Sequence, residues 1–381
     1  CGVVYIYKRG NTLWEQHQVI FHPQESGISL SNFNRFGNSN LELKGDYLFT
    51  GNYRHFNNTG CVFVFKKQTN NQWSYTTLVQ PQDDNGNIET TDMEFGRGYN
   101  VERGKTISMS NNYLVIGASR RDGNSYGDEG AIYIYKKSDN DENWLIQKRI
   151  LMSDIINNSS YPTPDYYAYF GVSVSIDNNY LVVGAHYKKT QLSTRINFTG
   201  AAYVFKLHEN IWHYLTELSP KDYYQEYNNL SGFTLYGASV CIKNSYIIIG
   251  APQDKQDYIS YTGSLYIYQL IGGIITFQNK ISTSITNNRF GVDSSVDKFI
   301  VVGSRDYNDG TNTITKRGTA HIIDAPTIQI YGTPIFNSNR PPIDINFDTN
   351  TNTLTILNSL NHTAFENNGL QDKYDYIRFT I

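Results

Sequence analysis

Residues 170–218 read FGVSVSIDNNYLVVGAHYKKTQLSTRINFTGAAYVFKLHENIWHYLTEL. The stretch opens on an aromatic-Gly pair, Phe170-Gly171, and runs into a short alternating segment, VSVSI. A polar turn, Asp177-Asn178-Asn179, leads to the nearly continuous apolar run YLVVGA. A variable loop then reaches Gly200, which opens GAAYVFK, and a second turn leads to the Trp212 segment WHYLTEL. Short runs of β-branched and aromatic residues bounded by Asn and Gly spell four strands in an antiparallel meander. The first strand alternates, whereas the second is apolar on both faces and must be covered on both. A lone four-stranded sheet cannot do that, so such units must stack.

The same frame recurs in both directions. It fits Phe36-Gly37 with YLFTG, GCVFVFKK and Trp73, and Arg103-Gly104 with YLVIGAS, GAIYIYKK and Trp144, taking Phe95-Gly96 as an insertion upstream. It fits Tyr236-Gly237 with YIIIGAP and GSLYIYQL, where Ile275 replaces the Trp, and Phe290-Gly291 with FIVVGS and GTAHIID. The opening GVVYIYKR followed by Trp14 is the back half of the same unit. All four tryptophans, Trp14, Trp73, Trp144 and Trp212, therefore hold one repeat position, as core packing between neighbouring units requires. Repeats of about 60 residues stacked face to face make a β-propeller, in which a closed ring leaves no exposed end unit. Gly at the strand ends permits close backbone approach.

Closure is also legible. After the strand-like TIQIY near Ile330, the C-terminal stretch holds a hairpin, IDINFD then TLTIL, with a turn near Asn350. Joined to the N-terminal half unit, it makes one composite blade. The expectation is an all-β propeller of four-stranded antiparallel blades, six by repeat count, or seven if a degenerate unit is present, closed by N- and C-terminal strands. Residues 1–331 form the repeat domain, and 332–381 a C-terminal β segment that completes the ring or, alternatively, a small appended β element.

Composition agrees: among 381 residues, Tyr (31) and Gly (30) are abundant, which suits pleated surfaces and tight turns, although an A+T-rich genome accounts for the Tyr excess equally well. A net charge of −3 gives no global case for nucleic acid or an anionic membrane. No apolar run approaches the roughly 18 residues of a transmembrane helix. The chain opens abruptly on a strand, which reads as a mature or trimmed form. Three cysteines do not make a disulfide framework. Cys61 and Cys241 read as small buried hydrophobes. Cys1-Gly2 reads as a fragment start in preference to a lipoprotein terminus.

Phe170-Gly171, Phe290-Gly291 and Gly250-Ala251-Pro252, with the near matches Gly117-Ala118-Ser119 and Gly184-Ala185-His186, resemble the FG-GAP repeat family, whose repeats also build integrin α-subunit propellers. The resemblance covers residues 1–331. It implies a propeller outside the cytoplasm, used for adhesion, ligand binding or structural display. In many members the turn between the first two strands is an Asp-rich calcium loop. Here the equivalents, at 177–179, 110–112, 243–244, 44–46 and 297–298, hold at most one carboxylate each. Calcium takes about six to eight oxygen ligands, several of them charged, so no calcium is expected at those turns.

Acidic loops occur elsewhere, at Asp83-Asp84-Asn85-Gly86, from Asp122 to Asp128, and at Asp306-Tyr307-Asn308-Asp309-Gly310. The last is a candidate metal loop through Asp306, Asn308 and Asp309, although it lacks the downstream Glu of an EF-hand. Solvated turns are the competing reading for all three. No HExxH, GxSxG, CxxC or P-loop is present, so no catalytic residue is assigned and no enzyme is expected. A glycan-active enzyme with paired channel carboxylates is the alternative.

In a meander the 1–2 and 3–4 turns share one face, and the 2–3 and 4–1 connections share the other. The latter are long here, and function usually lives in such loops. The 2–3 loops carry Arg54, Arg120, Arg121, Lys188, Lys189, Lys255 and Arg305 shortly after the GA element. A ring of these at one channel mouth would bind an acidic glycan or carboxylate; solubilising charge explains them equally well. N-glycosylation sequons occur at Asn57, Asn157, Asn158, Asn197, Asn229 and Asn361. The expectation is a non-enzymatic binding, adhesion or display propeller without a cofactor, on a cell or particle surface such as a virion. Its partners would be a protein or glycan ligand or copies of itself, with no nucleic acid and no membrane insertion. A purely architectural component of a matrix, envelope or virus particle is the second expectation.

Overall fold

A computed structural model describes residues 2–10, 13–23, 36–37, 40–56, 58–91, 93–97, 104–122, 127–139, 143–156, 167–192, 195–220, 233–255, 261–283, 288–297, 299–307, 317–324, 344–348 and 353–357. It opens on a hairpin, β1 (Val3–Arg9) and β2 (Trp14–Phe21). The first blade is β3 (Leu41–Lys44), β4 (Tyr47–Asn52), β5 (Cys61–Lys67) and β6 (Trp73–Val79). The second is β7 (Ile107–Ser110), β8 (Tyr113–Ala118), β9 (Ala131–Lys137) and β10 (Trp144–Leu151), followed by the helical turn α1 (Met152–Ile156). In the third, β11 (Ser173–Asp177) and β12 (Tyr180–Ala185) precede a loop hairpin of β13 (Lys189–Leu192) and β14 (Arg195–Phe198), and β15 (Ala201–His208) and β16 (Ile211–Leu218) complete the sheet. The fourth is β17 (Ser239–Lys243), β18 (Tyr246–Ala251), β19 (Ser264–Ile271) and β20 (Ile274–Ser282). The fifth has three strands, β21 (Phe290–Val296), β22 (Phe299–Tyr307) and β23 (Arg317–Asp324). A separate hairpin joins β24 (Asp344–Asp348) to β25 (Thr353–Leu357).

The all-β propeller of antiparallel meanders is thus as expected, but it has five blades, four of four strands and one of three, not six or seven. The five internal repeats became blades, and the composite blade did not. Among the described residues β1 pairs with β2 and β24 with β25, and no ladder joins the two hairpins. The strand-like 327–331 lies outside the described residues.

Two-faced burial of the second strands is what stacks the units. In β8, Tyr113 and Val115 enter the core shared with the third blade, while Leu114 and Ile116 enter the core shared with the first. In β12, Leu181 and Val183 face back and Val182 faces forward. Each such buried aliphatic contributes about 2 kcal/mol. Three of the four tryptophans sit in these seams. Trp73 joins the core shared with the N-terminal hairpin. Trp144 packs edge-on against Tyr47 and Phe49 of the preceding blade, and Trp212 against Tyr113, at ring separations of 5.9, 5.5 and 5.5 Å. Trp14 is only half-buried.

At the inner end, backbone meets backbone. A Cβ placed on Gly117, Gly184 or Gly250 would stand 1.9 Å from the carbonyl oxygen of Gly171, Gly237 or Gly291 in the next blade. Those partners have φ near +90°, which glycine alone adopts without strain. The Gly171 and Gly237 N–H groups donate back to Gly184 O and Gly250 O within their own blades, at 2.9 and 3.0 Å. The N-terminal hairpin sits on the first blade through a different glycine contact, Gly2 against the Phe36 carbonyl, the contact that Gly130, Gly200 and Gly263 make with the carbonyls of Phe170, Tyr236 and Phe290.

This geometry corrects the second repeat. Its aromatic-Gly element is Phe95-Gly96, not Arg103-Gly104. Phe95 bridges Gly60 as Phe170, Tyr236 and Phe290 bridge Gly130, Gly200 and Gly263, and Gly96 N–H donates to Gly117 O at 2.8 Å. The preceding Glu94 also has the positive φ found at Tyr169, Leu235 and Arg289.

Blades that approach this closely also satisfy each other's inner edge. Met109 N–H donates to Glu42 Oε1 at 3.1 Å, Ile176 N–H to Ser108 Oγ at 3.2 Å and Asn178 N–H to Ser110 Oγ at 3.0 Å. Ile242 N–H donates to Ser175 Oγ at 3.0 Å and Asn244 N–H to Asp177 Oδ2 at 3.4 Å.

Gly184→Ala should therefore destabilise the fold by about 3 kcal/mol, the upper end of the usual range for buried overpacking. Gly127→Ala, whose Cβ meets nothing closer than 3.5 Å, should change stability by about 0.5 kcal/mol or less. Urea denaturation of both variants checks the contrast.

Candidate functional site: the long-loop face

After the second strand of each of the first four blades the chain makes the same turn. His55, Arg121, Lys188 and Asp254 donate their N–H groups to the carbonyls of Asn52, Ala118, Ala185 and Ala251 at 3.0–3.2 Å. Their own carbonyls accept from Gly60, Gly130, Gly200 and Gly263 at 2.9–3.1 Å. One backbone position thus holds a His, an Arg, a Lys and an Asp, and each side chain meets a different partner. Arg121 Nη2 and Arg149 Nη1 both reach Glu89 Oε1 at 2.8 Å, and the Tyr133 hydroxyl donates to the same carboxylate. Asp254 reverses the polarity, accepting from Tyr266 Oη at 2.8 Å and pairing with Lys280 Nζ at 3.2 Å.

Of the seven basic candidates, Arg54, Arg120 and Arg121 lie at the seam of the first two blades. Arg120 reaches Asp128 Oδ1 at 3.3 Å and Glu94 Oε1 at 3.4 Å. Glu94 also holds Arg97, whose guanidinium stacks 4.0 Å from the centre of the Tyr53 ring, with Arg54 at 5.8 Å from the same ring. In the third blade, Lys188 Nζ donates to Lys189 O at 2.9 Å, and Lys189 Nζ stands 5.5 Å from the Phe198 ring centre. Lys255 N–H donates to Asp254 Oδ1 at 2.9 Å. Arg305 and Asp306 fall in β22, with side chains outside the described residues, and Asn308 and Asp309 lie outside them altogether.

Among the described residues no three His, Cys, Asp or Glu side chains gather as a metal site. The Asp83 carboxylate accepts from Asn85 N–H, Asn87 N–H and Asn87 Nδ2 at 2.8–3.0 Å, and Asp84 pairs with Lys148 at 2.5 Å. The inner-strand carboxylates Glu42 and Asp177 each pair at 2.7 Å with a lysine of the next blade, Lys105 and Lys243. Asn197 lies in β14 with its side chain outside the described residues, as are Asn57, Asn157, Asn158, Asn229 and Asn361 entirely.

Burial and charge set the carboxyl groups apart. Burial acts to raise Glu89, but hydrogen bonds from Arg121 and Tyr133 and the nearby arginine charge outweigh it and hold the carboxyl below its ordinary value. Burial raises Asp128 and Glu129, and Glu129 gains further from the like charges of Asp154 and Asp122.

One group was not anticipated from the sequence. Phe198 and Phe233 stack at 5.0 Å and 14°, Tyr187 meets both edge-on at 6.0 and 5.9 Å, and Tyr169 lies 5.4 Å from Tyr187. Phe233 is 42 % exposed, and Tyr167, 6.5 Å from Tyr169, is 50 % exposed. His186 closes the bottom of the group, and burial lowers it to about 3, so it stays neutral. The only hint in the sequence was aromatic residues inside polar connections.

Residues 165–205 match the FG-GAP repeat family model. No curated protein sequence matches the chain. Among solved structures it is similar to a putative 6-phosphogluconolactonase from Bacteroides uniformis, at 8 % identity and a TM-score of 0.40 over 74 % of this chain and 70 % of that one.

Glu89→Gln should destabilise the protein at neutral pH by about 3 kcal/mol, the low end for breaking a buried pair, because Arg149 keeps contact with water. The wild-type contribution of Glu89 is present above its ordinary value of 4.5 and fades as pH falls through its lowered folded value. Glu129 works in the opposite sense: its stability contribution is full below its ordinary value of 4.5 and is lost as pH rises through the raised folded value. Glu129→Gln should therefore raise Tm at pH 7, with the gain vanishing in acid. Calorimetry across pH checks both signs.

Proposed function

We propose, starting from the FG-GAP repeat that this chain carries at residues 165–205, that it is a non-enzymatic binding and display propeller. Its ligand face is the one built by the 2–3 and 4–1 connections. The supporting observation is the aromatic group of Tyr187, Phe198 and Phe233, with Phe233 42 % exposed. Stacked aromatic rings offer a large, stiff contact area at little conformational cost, the property that suits recognition surfaces. Lys188 and Lys189 stand beside these rings and supply positive charge for an acidic group on the ligand. Glu42 and Asp177, each held by a lysine from the neighbouring blade, act as cement between inner strands and not as an acid–base pair. A glycan or protein ligand fits this face, as does residence on a cell or particle surface.

A glycan array probed with purified protein tests the reading, with light scattering to fix the mass. Binding should fall more than tenfold in Phe233→Ala and Tyr187→Ala, equivalent to about 1.4 kcal/mol or more. Binding that both variants retain, or catalytic turnover of the bound glycan, would contradict it.

A further inference from the structure

The opposite face, where the 1–2 and 3–4 turns lie, carries a charge pattern that a net charge of −3 conceals. In the N-terminal hairpin and the first three blades the equivalent strand ends in cations, Lys8-Arg9, Lys66-Lys67, Lys136-Lys137 and Lys206, whereas in the fourth it ends in Gln269-Leu270-Ile271 and in the fifth at Asp324. Register places Lys66, Lys136 and Lys206 opposite Tyr47, Tyr113 and Tyr180, the first residues of the second strands. Each ammonium stands over its tyrosine ring, at 5.6, 5.9 and 5.8 Å from the centre. A ring quadrupole attracts a cation without cancelling its charge. The positive potential of these lysines therefore reaches solvent, unlike that of Lys243, which is paired with Asp177. Counting the described strand ends and turns of this face alike, seven carboxylates (Glu15, Asp46, Asp139, Asp177, Glu209, Asp297 and Asp324) stand against nine cations once Lys44 and Lys243 are added.

The tips of the 3–4 hairpins add a second component. Leu13, Leu145, Ile211, Ile271 and Ile274 are 59 % to 71 % exposed, and they belong to the N-terminal hairpin and the second, third and fourth blades. Ile271 and Ile274 flank a bare Gly272-Gly273 turn. An aliphatic tip and a lysine occur together in the N-terminal hairpin and in the second and third blades, while the first blade has the lysines alone and the fourth the isoleucines alone, always at the same end of the sheet.

We infer that this face docks peripherally on an anionic lipid bilayer. A bilayer surface is planar and offers both requirements at one depth, negative headgroups for the lysines and the acyl boundary for the aliphatic tips. A soluble polyanion would use the lysines and leave the aliphatic tips in water. Docking by this face turns the long-loop face outward, but the inference stands independently of what that face binds.

The test is co-sedimentation of the full chain with phosphatidylcholine vesicles with and without phosphatidylserine, at rising salt. Binding should need phosphatidylserine, weaken with salt, and fall more than tenfold in the combined K66E, K136E and K206E variant. The I271S and I274S double variant, altered only at an exposed turn, should also lose binding several-fold while keeping the wild-type Tm and salt dependence. No binding to phosphatidylserine vesicles would overturn the inference. So would binding unaffected by the isoleucine changes, which with equal capture by inorganic polyphosphate would mark a polyanion surface.

Discussion

Backbone-to-backbone contact at paired glycines sets the spacing between blades, and the rest of the propeller depends on that spacing. A methyl group at Gly117, Gly184 or Gly250 has nowhere to go, because a carbonyl oxygen of the next blade already occupies its position. With the blades that close, short side chains can span the seam. Ser108, Ser110 and Ser175 reach amide groups of the next innermost strand, and Glu42 and Asp177 do the same from the longer side. An innermost strand has no neighbour on its channel side, and each buried amide left without an acceptor costs about 1–3 kcal/mol. The glycine contact thus decides whether the inner edge is a liability or a sealed surface.

Farther out, the seams are filled by aromatic packing, and the loops beyond them are free to diverge. One turn position illustrates the latitude. His55, Arg121, Lys188 and Asp254 occupy the same hydrogen-bonded corner, yet Arg121 answers Glu89 and Asp254 answers Lys280. The backbone repeat is conserved within the chain while the sign of the charge is not. A residue type recurring at this corner therefore says little about a shared ligand, and the exposed rings of the third-blade loops say more. The two ends of the sheets differ in kind: long connections with aromatic rings at one, and short turns with lysines and aliphatic tips at the other.

Strand periodicity made most of the fold legible in the sequence. Two-faced apolar runs such as YLVVGA and the recurring Trp are local signals, and both map directly onto blades. What failed was non-local. Phe95-Gly96 looked like an insertion because its partner, Gly60, lies in the preceding repeat. The composite sixth blade needed a ladder between β1 and the C-terminal hairpin, and no local pattern reports on such a pairing. In the same way Arg121 looked like a free cation of a channel ring because Glu89 comes from another connection. Phe198 and Phe233 lie on separate connections and meet only in the folded chain.

Residue-resolved amide hydrogen exchange under native conditions tests the inner-edge account most directly. Met109, Ile176 and Ile242 have their amides accepted by side chains of the preceding blade. The account predicts that they exchange as slowly as Val182 and Ile248, buried at the centre of their sheets. Exchange at the rate of an open strand edge, with Val182 and Ile248 still protected, would show that the blades do not seal one another.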